Sequence, residues 1–76
     1  MKAYVLIKIR SGEVRSVVDR LRSLENIAQA DMTFGPYDAV AVLDAPDVGG
    51  LGTLIANSIQ RIPGVDQTLT CIAVDL

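Results

Sequence analysis

Residues 27–43 read IAQADMTFGPYDAVAVL, and the fold turns on how this stretch is divided. Ile27 to Phe34 has the apolar content of a strand but is interrupted by Gln29 and Asp31, the pattern of an edge or half-exposed strand. Ala39-Val40-Ala41-Val42-Leu43 is an unbroken apolar run, short enough for a buried strand. Between them stands Gly35-Pro36-Tyr37-Asp38, whose Gly and Pro are turn residues for different reasons: one tolerates unusual backbone angles, the other pre-sets φ. The centre of the chain is therefore strand, tight turn, strand.

Each side of this centre carries one more strand and one helix. Ala3 to Ile9 is rich in Val, Ile and Tyr and reads as a first strand, closed by Ser11-Gly12. Val14, Val17, Val18, Leu21 and Leu24 then recur at helical spacing, and Ser11 or the Ser-Gly-Glu around it is placed to cap the helix. After the centre, Asp44-Ala45-Pro46-Asp47 ends the strand and Asp47 is a good N-cap. Val48, Leu51, Leu54, Ile55, Ile59 and Ile62 form a second apolar stripe, stopped by Pro63-Gly64. Thr68 to Val74 reads as the last strand.

The two halves superpose with a constant offset of 38 residues: Val17 meets Ile55, Leu21 meets Ile59, Leu24 meets Ile62, Ile27 meets Val65 and Gln29 meets Gln67. This is the pattern of a duplicated strand-helix-strand unit. With right-handed crossovers, the order βαββαβ puts both helices on one face of a four-stranded antiparallel sheet, an α+β ferredoxin-like sandwich forming a single domain over residues 1–76.

That fold leaves the other sheet face bare, and the residues expected there are not polar. The first strand offers Ala3, Val5, Ile7 and Ile9 to one side and Tyr4 and Leu6 to the other, and the third strand is apolar on both. A sheet open to water on one face normally alternates. Half of the residues are hydrophobic and the mean hydropathy is +0.37, so a chain of 76 residues has more apolar surface than a lone small core can hide. A homodimer through the sheet is expected, by a symmetric contact.

The composition excludes several functions. One cysteine, Cys71, and no histidine leave no internal disulfide and no metal site, which fits a reducing, cytoplasmic setting. The N-terminal run Ala3–Ile7 is too short to span a membrane. A formal charge of −2 is the wrong sign for neutralising phosphates, so no direct DNA binding is expected. Four of the five arginines fall between Arg10 and Arg22, a stripe best read as a solvated helix face. No nucleophile has a base beside it and no carboxylate pair stands out, so neither catalytic residues nor cofactors are expected and the chain reads as a binding module rather than an enzyme. Gly49-Gly50-Leu51-Gly52 lacks the Gly-Lys-Ser/Thr of a phosphate loop, and Cys71 reads as core or interface filling.

The best candidate site is the central turn. Backbone N–H groups around Gly35 can hold a carboxylate, Asp38 can attract an ammonium group and Tyr37 can line the pocket between them, a combination suited to a small zwitterion. Thr68 and Thr70 share one face of the last strand, where they are ordinary strand residues or, on the sharper reading, hydroxyl contacts to a ligand.

Thr33-Phe34-Gly35-Pro36-Tyr37-Asp38, the following Ala39–Val42 and the run Ile62-Pro63-Gly64-Val65-Asp66-Gln67-Thr68-Leu69-Thr70 together resemble the effector-binding (RAM) domain of the Lrp/AsnC transcription regulators, over essentially the whole chain. The resemblance implies an amino acid or similar metabolite bound where dimers meet, dimers assembling further to tetramers or octamers, and mixed assemblies with full-length Lrp/AsnC regulators. It assigns ligand contacts to Gly35, Tyr37, Asp38, Thr68 and Thr70. Members usually carry an N-terminal helix-turn-helix domain; this sequence starts in a strand and so resembles a stand-alone effector domain. Phe34 departs from the commoner Thr-Gly, and the three glycines of the second helix are unusual. Two alternatives share the element order: a small dimeric ferredoxin-like enzyme of the monooxygenase or isomerase type, disfavoured by the missing histidine, and an ACT-like regulatory domain, whose site would lie at Gly12 rather than Gly35.

Overall fold

A computed structural model of the chain describes residues 1–75. It contains β1 (Lys2–Ile9), α1 (Val14–Arg22), β2 (Ile27–Met32), β3 (Ala39–Asp44), α2 (Val48–Leu54), which runs directly into a π-helical turn at Ile55–Ile59, and β4 (Val65–Ile72). The strands form one antiparallel sheet in the order β2-β3-β1-β4, the ferredoxin-like α+β arrangement. The interrupted strand β2 is indeed an edge, and the unbroken apolar β3 is central.

The core lies between the sheet and the helices. Ala3, Val5, Ile7 and Ile9 of β1 and Ala39, Ala41 and Leu43 of β3 meet Val17, Val18 and Leu21 of α1, with Leu51, Ile55 and Ile59 from the second helical segment. The duplication survives in burial: Val17 and Ile55 are matched core residues, as are Leu21 and Ile59. Among the described residues no polar or charged residue is buried, so the interior is held by apolar packing alone.

Local boundaries differ from expectation where tertiary pairing overrides pattern. β4 begins at Val65 rather than Thr68, because its ladder with β1 runs from Ile9↔Val65 to Ala3↔Ile72 and carries Asp66 and Gln67 with it. As an edge strand it can display those polar side chains to solvent. Asp47 caps α2 as expected, its Oδ1 accepting from the Gly50 N–H at 2.6 Å. Ser11 does not cap α1; Glu13 takes the N-cap position and makes no side-chain capping bond. The second helix is not α-helical throughout: the Gln60 N–H reaches back to the Ile55 carbonyl at 2.9 Å, an i→i+5 bond that opens a wider turn.

Residues opposite one another in neighbouring strands share a face. The register therefore lays two rows across the bare side of the sheet, Leu69–Leu6–Val40–Asp31 and Cys71–Tyr4–Val42–Gln29. Six adjacent positions, Leu69, Leu6, Val40, Cys71, Tyr4 and Val42, are apolar or nearly so, with Leu69 48 % and Tyr4 38 % exposed. The border is polar: Lys8 and Gln67 at one end, Lys2 and Asp44 at the other, Gln29 and Asp31 on the β2 side. An apolar centre with a polar rim is the anatomy of a protein interface.

Candidate functional site

The hairpin between β2 and β3 is closed by its own backbone and side chains. The Thr33 N–H donates to the Asp38 carbonyl at 3.0 Å, and the Thr33 hydroxyl donates to the Tyr37 carbonyl at 2.7 Å. Lys8 Nζ donates to the Pro36 carbonyl at 3.0 Å, tying the loop to β1. Asp38 is the keystone. Its own N–H donates to the Ile7 carbonyl at 2.9 Å, and its Oδ2 accepts the Ile9 N–H at 2.7 Å. The β1–β3 ladder ends at Ile7↔Ala39, so the carboxylate takes the place of the next backbone acceptor.

This gives Asp38 a structural task beside the expected ligand-binding one, and the two can be separated. Asp38→Ala leaves the partly buried Ile9 N–H without its partner, so stability is expected to fall by about 1–3 kcal/mol. Asp38→Asn keeps an acceptor oxygen while removing the charge and is expected to cost clearly less. Urea unfolding of the two variants checks this; equal losses would mean that the charge, not the hydrogen bond, holds the loop.

Beside the hairpin lies an open groove of about 420 Å³ lined by Val14, Met32, Thr33, Phe34 and Asp38. Its walls are mainly apolar, Phe34 is fully exposed, and Asp38 is its one formal charge. Met32 pairs with Ala39, a core residue, so the groove opens on the helix side of the sheet rather than on the bare face. Of the five expected ligand residues only Asp38 lines it; Val14, Met32 and Phe34 were not singled out as site residues, although Phe34 stood out as a departure from the family pattern.

The other four lie elsewhere. Gly35 is exposed at the loop tip and Tyr37 is half-buried in the loop. Gly35 has no left-handed φ and a Cβ there would meet nothing within 4 Å, so the turn does not depend on its being glycine. Thr68 and Thr70 pair with Ile7 and Val5 and so face the helix side at the β4 edge. The Thr68 hydroxyl accepts from Gln60 Nε2 at 3.0 Å, at the end of the π-helical turn. β1 separates the threonines from the hairpin, two strand spacings or roughly 10 Å across the sheet. Within one chain the structure does not gather the five residues around a single cavity. Among the described residues no group of three or more His, Cys, Asp or Glu is placed to hold a metal ion.

The description "Lrp/AsnC ligand binding domain" matches residues 2–75. The chain belongs to this family. The HTH-type transcriptional regulator FL11 of Pyrococcus abyssi is 33 % identical over 72 residues, covering 95 % of this chain and 47 % of the regulator. The chain thus spans about half the length of the curated relatives it matches. Among solved structures, TTHA0845 from Thermus thermophilus superposes with a TM-score of 0.92 at 31 % identity, covering 99 % of this chain and 94 % of that one. E. coli AsnC has the same fold, with a TM-score of 0.92 at 24 % identity over 99 % of this chain and 51 % of AsnC. The Lrp/AsnC assignment makes this a ligand-binding regulatory domain of the transcription-regulator type, and the element order expected from the duplicated halves is the one these relatives share. Among the described residues no helix is long and apolar enough to cross a membrane.

Proposed function

We propose that the chain is an amino-acid-responsive effector module that dimerises through the bare sheet face and modulates Lrp/AsnC-type regulators by co-assembly in the cytoplasm, without contacting DNA itself. The observation that carries the ligand class is the hairpin groove: apolar walls from Val14, Met32 and Phe34 beside a single carboxylate, Asp38. An ammonium group pairs with Asp38 while an aliphatic or aromatic side chain lies against the apolar wall, and a carboxylate is left for exposed N–H groups or hydroxyls. Gly35 and Tyr37 on the loop supply part of that remainder. Thr68 and Thr70, too far across the sheet to close the same groove, supply theirs from a neighbouring copy, so that the ligand sits where dimers meet and favours assembly to octamers or similar rings. The apolar six-residue patch supports the dimer on which this rests.

The test is thermal unfolding of the purified chain against each of the twenty amino acids. A ligand at 100 times its dissociation constant raises stability by about 2.7 kcal/mol, or roughly 10 °C or more for a domain of this size. The expected outcome is a selective rise with one or a few apolar amino acids, lost in Asp38→Asn and in Gly35→Val. No rise with any of the twenty would remove the amino-acid reading and leave a ligand-independent assembly module.

A further inference from the structure

The four arginines between Arg10 and Arg22 are exposed, as a solvated face requires, and so is Arg61, but they differ in their partners. Arg10 pairs with Glu13 at 3.3 Å, and Arg22 reaches β2, its Nε donating to the Ala30 carbonyl at 2.9 Å with Asp31 3.8 Å away. Arg20 and Arg61 meet no carboxylate within 4 Å among the described residues. They come from different halves of the chain, yet they line the same cleft between the helices, a space of about 280 Å³ shared with Asn57, Ser58, Leu24, Ile62 and Pro63.

Three features make this cleft more than two surface arginines. It sits on the internal duplication: Arg20 and Ser58, and Leu24 and Ile62, are matched positions 38 residues apart, so the two halves meet here. Asn57 and Ser58 are presented by the π-helical turn Ile55–Ile59, a rare departure from α-helix that recurs at functional sites. And two arginines line one cleft with no carboxylate within 4 Å of either among the described residues. The negative end of α1 would account for Arg20 alone. Arg20 from α1 and Arg61 from the turn after Ile59, lining one small cleft with the hydroxyl of Ser58 and the amide of Asn57, bring forked and single donors to the same space.

We propose that this cleft binds a small phosphate-class dianion, inorganic phosphate or the phosphate of a small monoester, independently of the hairpin groove. The charge decides the class. A phosphate monoester carries close to two negative charges at neutral pH and balances both arginines, whereas a single carboxylate balances one. The planar guanidinium forks bind adjacent phosphate oxygens, Ser58 and Asn57 supply further donors, and Leu24, Ile62 and Pro63 give an apolar border for the remainder of a monoester.

The experiment is a calorimetric titration of the whole chain with inorganic phosphate, glycerol 3-phosphate and succinate, at constant ionic strength in a chloride buffer. Saturable phosphate binding is expected, weakened about ten- to hundredfold by Arg20→Gln or Arg61→Gln and abolished in the double variant, with helical circular dichroism unchanged. Arg61→Lys, which keeps the charge but not the fork, should fall between wild type and Arg61→Gln. Tighter binding of glycerol 3-phosphate than of phosphate would mark a monoester site; the reverse order would mark a site for the free ion. Phosphate binding that does not saturate, that persists in the double variant, or that succinate matches would overturn the proposal.

Discussion

Leu6→Lys is expected to turn the dimer proposed through the bare sheet face into a folded monomer. Leu6 lies at the centre of the apolar patch, between Leu69 and Val40 in its row, and is half-buried in a single chain. Its side chain faces away from the core formed by Val5 and Ile7, so a lysine there can extend into water without opening a cavity. In a two-fold contact each substitution acts twice. Losing the burial of one leucine per protomer removes about 1.5–3 kcal/mol on each side, so dimerisation is expected to weaken by roughly 3–6 kcal/mol, on the order of hundredfold to ten-thousandfold. Trapping a lysine in the contact would cost more. Gln29→Lys, on the polar rim of the same face, should leave the dimer nearly unchanged, as rim charges do. Sedimentation velocity at micromolar concentration decides the matter. A wild-type monomer, or a Leu6→Lys dimer as tight as wild type, would show that the bare face is not where copies meet.

How far the chain could be read before its fold was seen depends on which residues carried the signal. Periodicity placed the core almost completely, because Ile7, Leu21, Leu43 and Ile59 are buried for the same reason that they recur at strand or helix spacing. The 38-residue offset fixed the order of elements, since residues matched in sequence, such as Val17 and Ile55, are matched in burial. The ends of β4 were not legible, because edge pairing with β1 tolerates Asp66 and Gln67 and no local preference announces that. The π-helical turn was equally silent: Ile55, Ile59 and Ile62 keep an apolar stripe whether the turn is tight or wide. At the hairpin, turn chemistry pointed to the right loop but not to its wiring. Asp38 was expected to meet a ligand, and it also holds the Ile9 N–H. The groove walls Val14 and Met32 belong to different elements, α1 and β2, and only the fold brings them together with Phe34. The cleft between Arg20 and Arg61 was invisible for the same reason: sequence grouped the arginines by neighbourhood along the chain, and the structure regroups them by partner.

The glycines offer the largest expected effect on stability. Positive φ occurs only at Gly12 and Gly64 among the described residues, at +86° and +102°. Gly64 is buried between the helical segment and β4, and its carbonyl accepts the Arg10 N–H at 2.7 Å, joining the end of β1 to the start of β4. A Cβ at this position would lie 3.1 Å from Val17 Cγ2 and 3.0–3.1 Å from the Glu13 side chain. The half-buried Glu13 can swing its carboxylate aside but not its Cβ, and Val17 is fully buried in the core and can give way only by disturbing α1. Two costs therefore add in Gly64→Ala: a side chain in a backbone region that it rarely adopts, about 1–3 kcal/mol, and overpacking against Val17, about 1–3 kcal/mol. Out of a total of roughly 5–15 kcal/mol this is a large fraction, and the unfolding midpoint is expected to fall by more than about 10 °C. Gly35→Ala is the matching control. It has an ordinary φ and open space around the new Cβ, so its effect on stability should stay within about 0.5 kcal/mol. The contrast separates two meanings of a glycine in this family. If Gly35→Ala destabilised the isolated chain as much as Gly64→Ala, glycine at the hairpin would be serving the fold. If only Gly64→Ala does so, any loss of ligand response in Gly35→Val can be assigned to the site rather than to unfolding.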